Sequence, residues 1–309
     1  MEAILNLLPQ EIRAALTHQP QEIIKNLEEI RLRVGKPIEL ITDDAFIFLD
    51  KAPRFTERHV RYLLDRMGEY SLYTLEEELK RGYITIRGGH RVGLAGKVVT
   101  EKGDVRLIRD ISSFNIRIAR QKIGAASAIV PYLFQSGHPS STLIIGPPQT
   151  GKTTLLRDLA RIASSGEGIT RALKVAIVDE RSEIAGCLKG VPQNQFGPRI
   201  DVLDACPKAE GMMMMVRSMS PHLLVVDEIG RKEDTEALLE AVNAGVAVVA
   251  SVHADHYDQL KKRPSIQPLL DGQVFSRYIL LSRRRGPGSI EAVLNANGES
   301  LHLKVLSQP

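Results

Sequence analysis

The chain has 309 residues, 43% hydrophobic, 25% charged and 5% aromatic, which supplies a real core and length for two domains and excludes disordered and fibrous classes. Lysine and arginine number 41 against 37 aspartates and glutamates, and a net charge of +4 over this length argues against a dedicated nucleic-acid coat even at a pI of about 9.0.

The first residues, Met1-Glu2-Ala3-Ile4-Leu5, lead to Pro9 without a basic segment or an apolar block, so no signal peptide is expected. Ile4, Leu5, Leu8, Ile12, Ala15 and Leu16, then Ile23, Ile24, Leu27 and Ile30, recur at helical spacing with a break at Pro9 and predict amphipathic helices up to about Asn26. Charged and apolar residues alternate from Glu29 to Arg33 and run into Gly35-Lys36-Pro37, which predicts a strand ending in a turn, with a second strand around Ile38 to Ile41. Beyond Pro53, Val60, Leu63, Leu64 and Met67 repeat like a helix, as do Leu72, Leu75 and Leu79 before Gly82. Three alternating stretches follow, Tyr83 to Arg87, Arg91 to Val99 and Phe114 to Ile118, with Gly88-Gly89 and Lys102-Gly103 as turns. A small sheet with its helices, an α+β domain, is therefore expected over residues 1–120.

From Ile123 a short apolar helix, Ala125 to Phe134, leads across Ser136-Gly137-His138-Pro139 into the strand Leu143-Ile144-Ile145. The strand meets Gly146-Pro147-Pro148-Gln149-Thr150-Gly151-Lys152-Thr153-Thr154, the P-loop (Walker A) spacing. Gly146 permits a turn that a side chain would obstruct. Pro147 and Pro148 carry no N–H and stiffen the rim, while the amides of Gln149, Thr150, Gly151, Lys152 and Thr153 are free to face phosphate oxygens. Lys152 would reach the outer phosphates as a point charge and Thr153 would offer its hydroxyl to Mg²⁺; Thr154 stands beside it at the start of a helix whose N-terminus favours an anion. Leu155, Leu156, Leu159, Ile162 and Ala163 continue that helix to Ser164-Ser165-Gly166.

Further strands are predicted at Leu173–Val178, Leu223–Val226, Val246–Val252 and Arg277–Leu281, with helices at Ala209–Met219 and Thr235–Ala244. Unbroken apolar strands separated by helices indicate a mostly parallel sheet covered on both faces. Cys187 and Cys206 are too few for a disulfide framework and lack metal-ligand spacing, which suits a reducing cytosol. Met212 to Met215 read as helix packing. The longest apolar run, Ala244 to Val252, is interrupted by Gly245 and falls far short of the roughly 20 residues that a membrane helix requires. Ile290 to Leu294 and Leu301 to Val305 around Asn297-Gly298 carry a hairpin signature.

Three of these strands end in polar residues: Asp227-Glu228 after Val226, Asp179-Glu180-Arg181-Ser182-Glu183 after Val178, and His253 after Val252. In a parallel sheet such ends share one carboxyl edge, where ligands bind. Asp227 is the candidate Mg²⁺ partner of Thr153, Glu228 the group to polarise a water for in-line attack on a γ-phosphate, and His253 the sensor of that phosphate. Asp179 and Glu180 are candidates for an outer contact to the Mg²⁺ site or for a plain ion pair with Arg181. Arg199, Arg217 and Arg231 lie near edge loops and are candidates for an arginine finger, including one supplied by a neighbouring subunit; Arg283-Arg284-Arg285 reads as an exposed turn.

On these residues the chain resembles the sporulation stage III AA family, a relative of the type II/IV secretion traffic ATPases. The resemblance covers nearly the whole length and is carried by Gly88 to Gly93, Gly146 to Asp158, Val178 to Glu183, Asp201 to Gly211, Arg217 to Pro221, Asp227 to Arg231 and Ser251 to Ala254. It implies ATP hydrolysis with ATP and Mg²⁺, the family's Asp box, Walker B and His box falling on Asp179-Glu180, Asp227-Glu228 and His253. Secretion members often carry glycine where this chain has Asp227. The resemblance also implies a homo-hexameric ring, docking to membrane proteins of a mother-cell-to-forespore channel in an endospore-forming bacterium, and a cytoplasmic position at that membrane through partners.

The expectation is thus an α/β, RecA-like P-loop ATPase domain over residues 121–309, behind the α+β domain, with Glu228, Lys152 and His253 as its catalytic residues. The alternative is a nucleic-acid-remodelling P-loop ATPase gripping backbone phosphates through Arg87, Arg91, Arg109 and Arg117. Near-balanced charge and few aromatics for base stacking make nucleic acid the weaker partner class. A nucleotide-bound scaffold without turnover is a third reading.

Overall fold

The computed structural model describes residues 1–42, 45–68, 82–101, 103–135, 138–169 and 171–301. The chain divides into two compact units, Met1–Arg120 and Gln121–Pro309.

In the first unit, helices Glu2–Leu7, Gln10–Thr17 and Gln21–Asn26 are separated at Pro9 and Pro20, each proline capping the helix that follows it. Strands β1 (Leu27–Arg33), β2 (Glu39–Thr42), β3 (Phe46–Phe48), β4 (Tyr83–Ile86), β5 (His90–Glu101) and β6 (Asp104–Arg117) make an antiparallel sheet in the order β3-β2-β1-β6-β5-β4. Alternation explains its two faces. Leu27, Ile30 and Leu32 of β1 are buried with Leu40, Val92, Phe114 and Ile116 against Ile4, Leu8, Ile12 and Leu16, and against Leu63 of helix Glu57–Gly68. The opposite face pairs Arg31 with Glu29 at 2.9 Å, Arg33 with Glu39 at 2.6 Å and Arg117 with Glu29 at 3.4 Å.

Strand β6 starts at Asp104, well before the expected Phe114, and β3 is not anticipated by the apolar pattern. Both share a cause: Val98 and Val105 on the hairpin arms, and Phe46 and Phe48 on the edge strand, are exposed, so no buried periodicity marks these segments. The helix expected around Leu72 to Leu79 lies outside the described residues.

In the second unit the expected helix Ala125–Phe134 resolves into a 3₁₀ turn, Ser127–Ile129, and one α-turn, Val130–Leu133, before Phe134 joins a two-stranded ribbon of β7 (Phe134–Gln135) and β8 (His138–Pro139). Pro131 supplies no amide for a longer helix. The main sheet is built from β9 (Thr142–Ile145), β10 (Val175–Asp179), β11 (Ile200–Asp204), β12 (Leu223–Val226), β13 (Ala247–Val252), β14 (Arg277–Ser282), β15 (Ser289–Asn295) and β16 (Ser300–Leu301), in the order β11-β10-β12-β13-β9-β14-β15-β16. From β11 to β14 the pairing is parallel; β15 and β16 add antiparallel strands, and the remainder of the expected tail hairpin lies outside the described residues.

Strands β9, β10 and β12 are buried at every residue, because successive side chains enter two different cores. Leu143, Val178, Leu224 and Val226 pack with Met212 and Met215 of helix Lys208–Met219 and Leu238 of helix Lys232–Asn243. Ile144, Ile177, Val225 and Val249 pack with Leu155, Leu156 and Leu159 of helix Lys152–Ser165. This is an α/β, RecA-like architecture with a mostly parallel sheet between helices. Cys187 and Cys206 are free thiols, and among the described residues no helix is long and apolar enough to cross a membrane.

Candidate functional site

Strand β9 ends at Ile145, and the loop Gly146–Gly151 turns the chain directly into helix Lys152–Ser165. Gly151 caps that helix at φ 88 and Gln149 sits at φ 61, so two left-handed residues form the turn that exposes the loop amides. A Cβ on Gly146 would stand 2.6 Å from Oγ1 of Thr150 and would force that side chain to shift. Thr150 in turn donates to the Pro147 carbonyl at 2.8 Å, locking the rim of the loop behind Pro148.

Lys152 is 5% exposed, and its ammonium donates to the carbonyls of Gly146 at 3.0 Å and Pro147 at 2.8 Å and to Nδ1 of His253 at 3.0 Å. All three ammonium hydrogens are engaged. Burial lowers its pKa from the usual lysine value, while the carboxylates of Asp227 and Glu228 pull the other way. His253 follows the end of β13, and its Nε2 lies 2.8 Å from Oε1 of Glu228. The tautomer that satisfies both contacts accepts at Nδ1 from Lys152 and donates from Nε2–H to Glu228.

Asp227 and Glu228 follow β12, one strand beyond β13. Thr153 Oγ1 donates to Oδ2 of Asp227 at 2.7 Å, and the fully buried Ser251 donates to the other oxygen, Oδ1. Ser251 Oγ also accepts the Glu228 amide at 2.9 Å, and the Ser251 carbonyl accepts the Ile229 amide at 2.9 Å. These bonds hold Glu228 at φ 48, a strained position for a side-chain-bearing residue. Its carboxylate is gripped on both sides, by His253 at Oε1 and by Arg181 at Oε2, 2.7 Å away.

The structure thus brings Lys152, Thr153, Asp227, Glu228 and His253 into one connected network at the carboxyl edge. Thr154, the third residue of the helix, lies beside it without a role in that network. Asp179 is buried at the end of β10, and both its oxygens are occupied by the amides of Glu183 (2.8 Å), Ile184 (3.0 Å) and Ala185 (2.8 Å). Burial raises its pKa, and these amides oppose the shift. Glu180 pairs with Lys208 at 2.7 Å; that hydrogen bond, with the Lys208, Arg231 and Arg181 charges, lowers its pKa against the opposing effect of burial. A small pocket lies between these groups, lined by Glu180, Arg181, Lys208, Asp227 and Glu228.

The three candidate arginines separate. Arg231 caps helix Lys232–Asn243 on the same edge as Asp227. Arg199 precedes β11 and donates to the Ala172 carbonyl at 2.9 Å, at the amino edge of the sheet, and Arg217 lies in the last turn of the helix that returns the chain to that edge. Two residues of the network were not given these roles from the sequence: Ser251, which was not singled out, and Arg181, which was offered as a partner for Asp179 or Glu180 and instead grips Glu228. Ser251 had a signal, a hydroxyl one residue before the end of an otherwise apolar strand, which once buried must find a partner. Arg181 follows a strand that neighbours β12 only in the folded sheet order.

Among the described residues no three or more His, Cys, Asp or Glu side chains cluster to hold a metal alone. Mg²⁺ beside phosphates needs only one or two protein oxygens, and the Thr153 hydroxyl with the Asp227 carboxylate supplies oxygens of that kind.

The model of the family described as "Sporulation stage III, protein AA" matches residues 1–301. A relative named stage III sporulation protein AA, from Bacillus subtilis (strain 168), is 56% identical over 301 residues, 97% of this chain and 97% of its own. Among solved structures, the Legionella pneumophila ATPase DotB superposes with a TM-score of 0.58 at 16% identity, covering 88% of this chain and 76% of that one. The pilus retraction motor PilT with bound ADP gives a TM-score of 0.59 at 18% identity, over 84% and 76%. At such identity the likeness is one of fold, the RecA-like fold of secretion ATPases.

Proposed function

The chain belongs to the sporulation stage III protein AA family, and from that premise we propose that it is an ATP-hydrolysing motor of the secretion-ATPase type. It powers a membrane-associated channel or secretion complex between mother cell and forespore, works as a homo-hexameric ring, and docks from the cytoplasm onto membrane proteins of that complex. The observation that carries this reading is the meeting of three strand ends around the phosphate loop: Thr153 on Asp227 at 2.7 Å and Lys152 on His253 at 3.0 Å, with His253 in turn on Glu228 at 2.8 Å. ADP bound to PilT, which has the same fold, supports the nucleotide assignment.

In this mechanism the triphosphate takes the place of the Gly146 and Pro147 carbonyls as acceptor for Lys152, while Thr153 and Asp227 hold Mg²⁺. When bound, Mg²⁺ neutralises charge on the outer phosphates. Glu228 accepts from the attacking water once one of its two present partners, Arg181 or His253, lets go of an oxygen. ATP and water give ADP and phosphate. His253 links Lys152 to Glu228, so occupancy of the phosphate loop alters the position of the base. Asp179 acts by holding residues 183–185 in place. Arg231 serves its own subunit's edge, whereas Arg199 and Arg217 would serve a neighbour's.

The nucleic-acid alternative is weakened by its own arginines, since Arg117 is matched by Glu29 at 3.4 Å and Arg109 by Asp110 at 3.5 Å. ATP turnover by wild type, Lys152→Ala and Glu228→Gln, with native mass recorded in ATP, tests the motor. Wild-type turnover no faster than that of Glu228→Gln would end it, and leave a nucleotide-bound scaffold.

A further inference from the structure

The loop that joins β14 to β15 lies against the phosphate loop along its whole length. A Cβ on Gly146 would meet the Leu281 side chain and carbonyl at 3.2 Å, and one on Gly151 would meet the Gly288 nitrogen at 3.0 Å. The Gly288 amide donates to the Thr150 carbonyl at 2.9 Å, and the Arg283 guanidinium donates to Oε1 of Gln149 at 3.2 Å. This neighbour therefore crowds both glycines of the loop, and Gly151 is also held at φ 88, where a side chain is strained. The connection is stiffened internally by Gly286 N–H on the Arg283 carbonyl at 3.0 Å and Arg285 N–H on Ser289 Oγ at 3.1 Å.

This wall carries three successive cations, and they are not equivalent. Arg284 reaches Glu291 on β15 at 3.7 Å. Among the described residues Arg283 pairs with no carboxylate and is aimed at the loop through Gln149. The rim it faces is short of donors, because Pro147 and Pro148 have no amide hydrogens. Sheet order fixes which end of a nucleotide lies there: β13 and β12, with His253, Asp227 and Glu228, flank β9 on one side, and β14 flanks it on the other. An outer phosphate set beside those carboxylates would leave the inner phosphates on the side of the arginines.

We infer that the Arg283–Gly288 connection is the second wall of the nucleotide site and that Arg283 is a ligand for the inner phosphates of a nucleoside di- or triphosphate. This rests on the nucleotide reading proposed above. Gln149 holds the guanidinium in place until the anion arrives, and an ion pair with phosphate then replaces a bond to a neutral amide oxygen. A group on the inner phosphates stabilises ATP and ADP alike and leaves the chemical step untouched.

Binding of ADP and of a non-hydrolysable ATP analogue to the full chain, by calorimetry at two salt concentrations, tests this in wild type, Lys152→Ala, Arg283→Gln, Arg283→Lys and Arg284→Gln. The expected result is that Arg283→Gln weakens both nucleotides by the same factor, about ten-fold, with a shallower salt dependence, an unchanged melting temperature without nucleotide, a raised KM and an unchanged kcat. Arg283→Lys recovers part of the loss, and Arg284→Gln changes affinity less than about two-fold. Unchanged affinity in Arg283→Gln, a loss confined to the triphosphate, or an equal loss in Arg284→Gln overturns the inference while leaving the nucleotide site in place. Failure of wild type to bind either nucleotide removes both.

Discussion

The two sheets of this chain use charged residues in opposite ways. In the antiparallel sheet of the first unit, charges on the solvent face neutralise one another along a strand, as Arg31 does on Glu29, and across strands, as Arg117 does on Glu29. In the second unit β9, β12 and β13 are apolar but for Thr142 and Ser251, and polar groups gather where these three strands end. The first arrangement spreads charge over a face and produces no centre. The second concentrates Lys152, Asp227, Glu228 and His253 at one edge, where burial lowers the pKa of Lys152.

Substitutions should therefore have local, steep effects in one unit and shallow ones in the other. Lys152→Ala removes the cation that the whole edge is arranged around, and ATP turnover is expected to fall by about a thousand-fold while the amide-exchange protection of β1 and β6 is unaltered. Glu228→Gln keeps the size of the side chain but not its basicity, so turnover should drop about a hundred-fold with nucleotide affinity retained. A smaller effect is expected for Ser251→Ala, which leaves Oδ1 of Asp227 without its buried donor: turnover falls about ten-fold and Ser251→Thr restores it.

Among the described residues the first unit buries two histidines, His59 and His90; His90 accepts the Ala119 amide at 3.0 Å, and burial lowers its pKa to about 4. The unfolded chain takes up this proton near the ordinary value of 6.5, before the folded one does, so stability present above pH 6.5 is lost as pH falls toward 4. Up to about 3 kcal/mol is at stake, and hydrogen exchange of β5 and β6 in the full chain from pH 7 to 4 should lose protection in wild type and lose less in His90→Gln. The shallowest effect is expected on the charged face, where Glu29→Gln should cost under about 1 kcal/mol in urea unfolding. A drop in turnover from Glu29→Gln comparable to that of Ser251→Ala would break the contrast between the sheets.

The legible part of the chain was the part where burial and chemistry repeat locally. Strands β9, β12 and β13 announce themselves as apolar runs closed by Gly146, by Asp227-Glu228 and by His253, so one edge of the sheet could be assembled from sequence. Strand β11, Ile200–Asp204, is an edge strand with no fully buried residue, and Asp201 and Asp204 interrupt its apolar pattern. Arg181 and the Arg283 loop were out of reach for a different reason. Their partners, Glu228 and Gln149, lie 47 and 134 residues away, and only the order of strands in the folded sheet makes them neighbours. Asp179 was read as an outer contact to the Mg²⁺ site or an ion-pair partner of Arg181, yet its oxygens are turned onto three amides of its own loop, a distinction that carboxylate spacing does not encode.

Glu228 stands at φ 48, where glycine or asparagine would rest more comfortably. A lineage under pressure for heat resistance alone would drift toward one of those two at this position, and would lose the carboxylate proposed above as the base in doing so. Durability and turnover are set against each other at a single backbone angle, so thermostabilising screens of this chain should be expected to enrich inactive variants there.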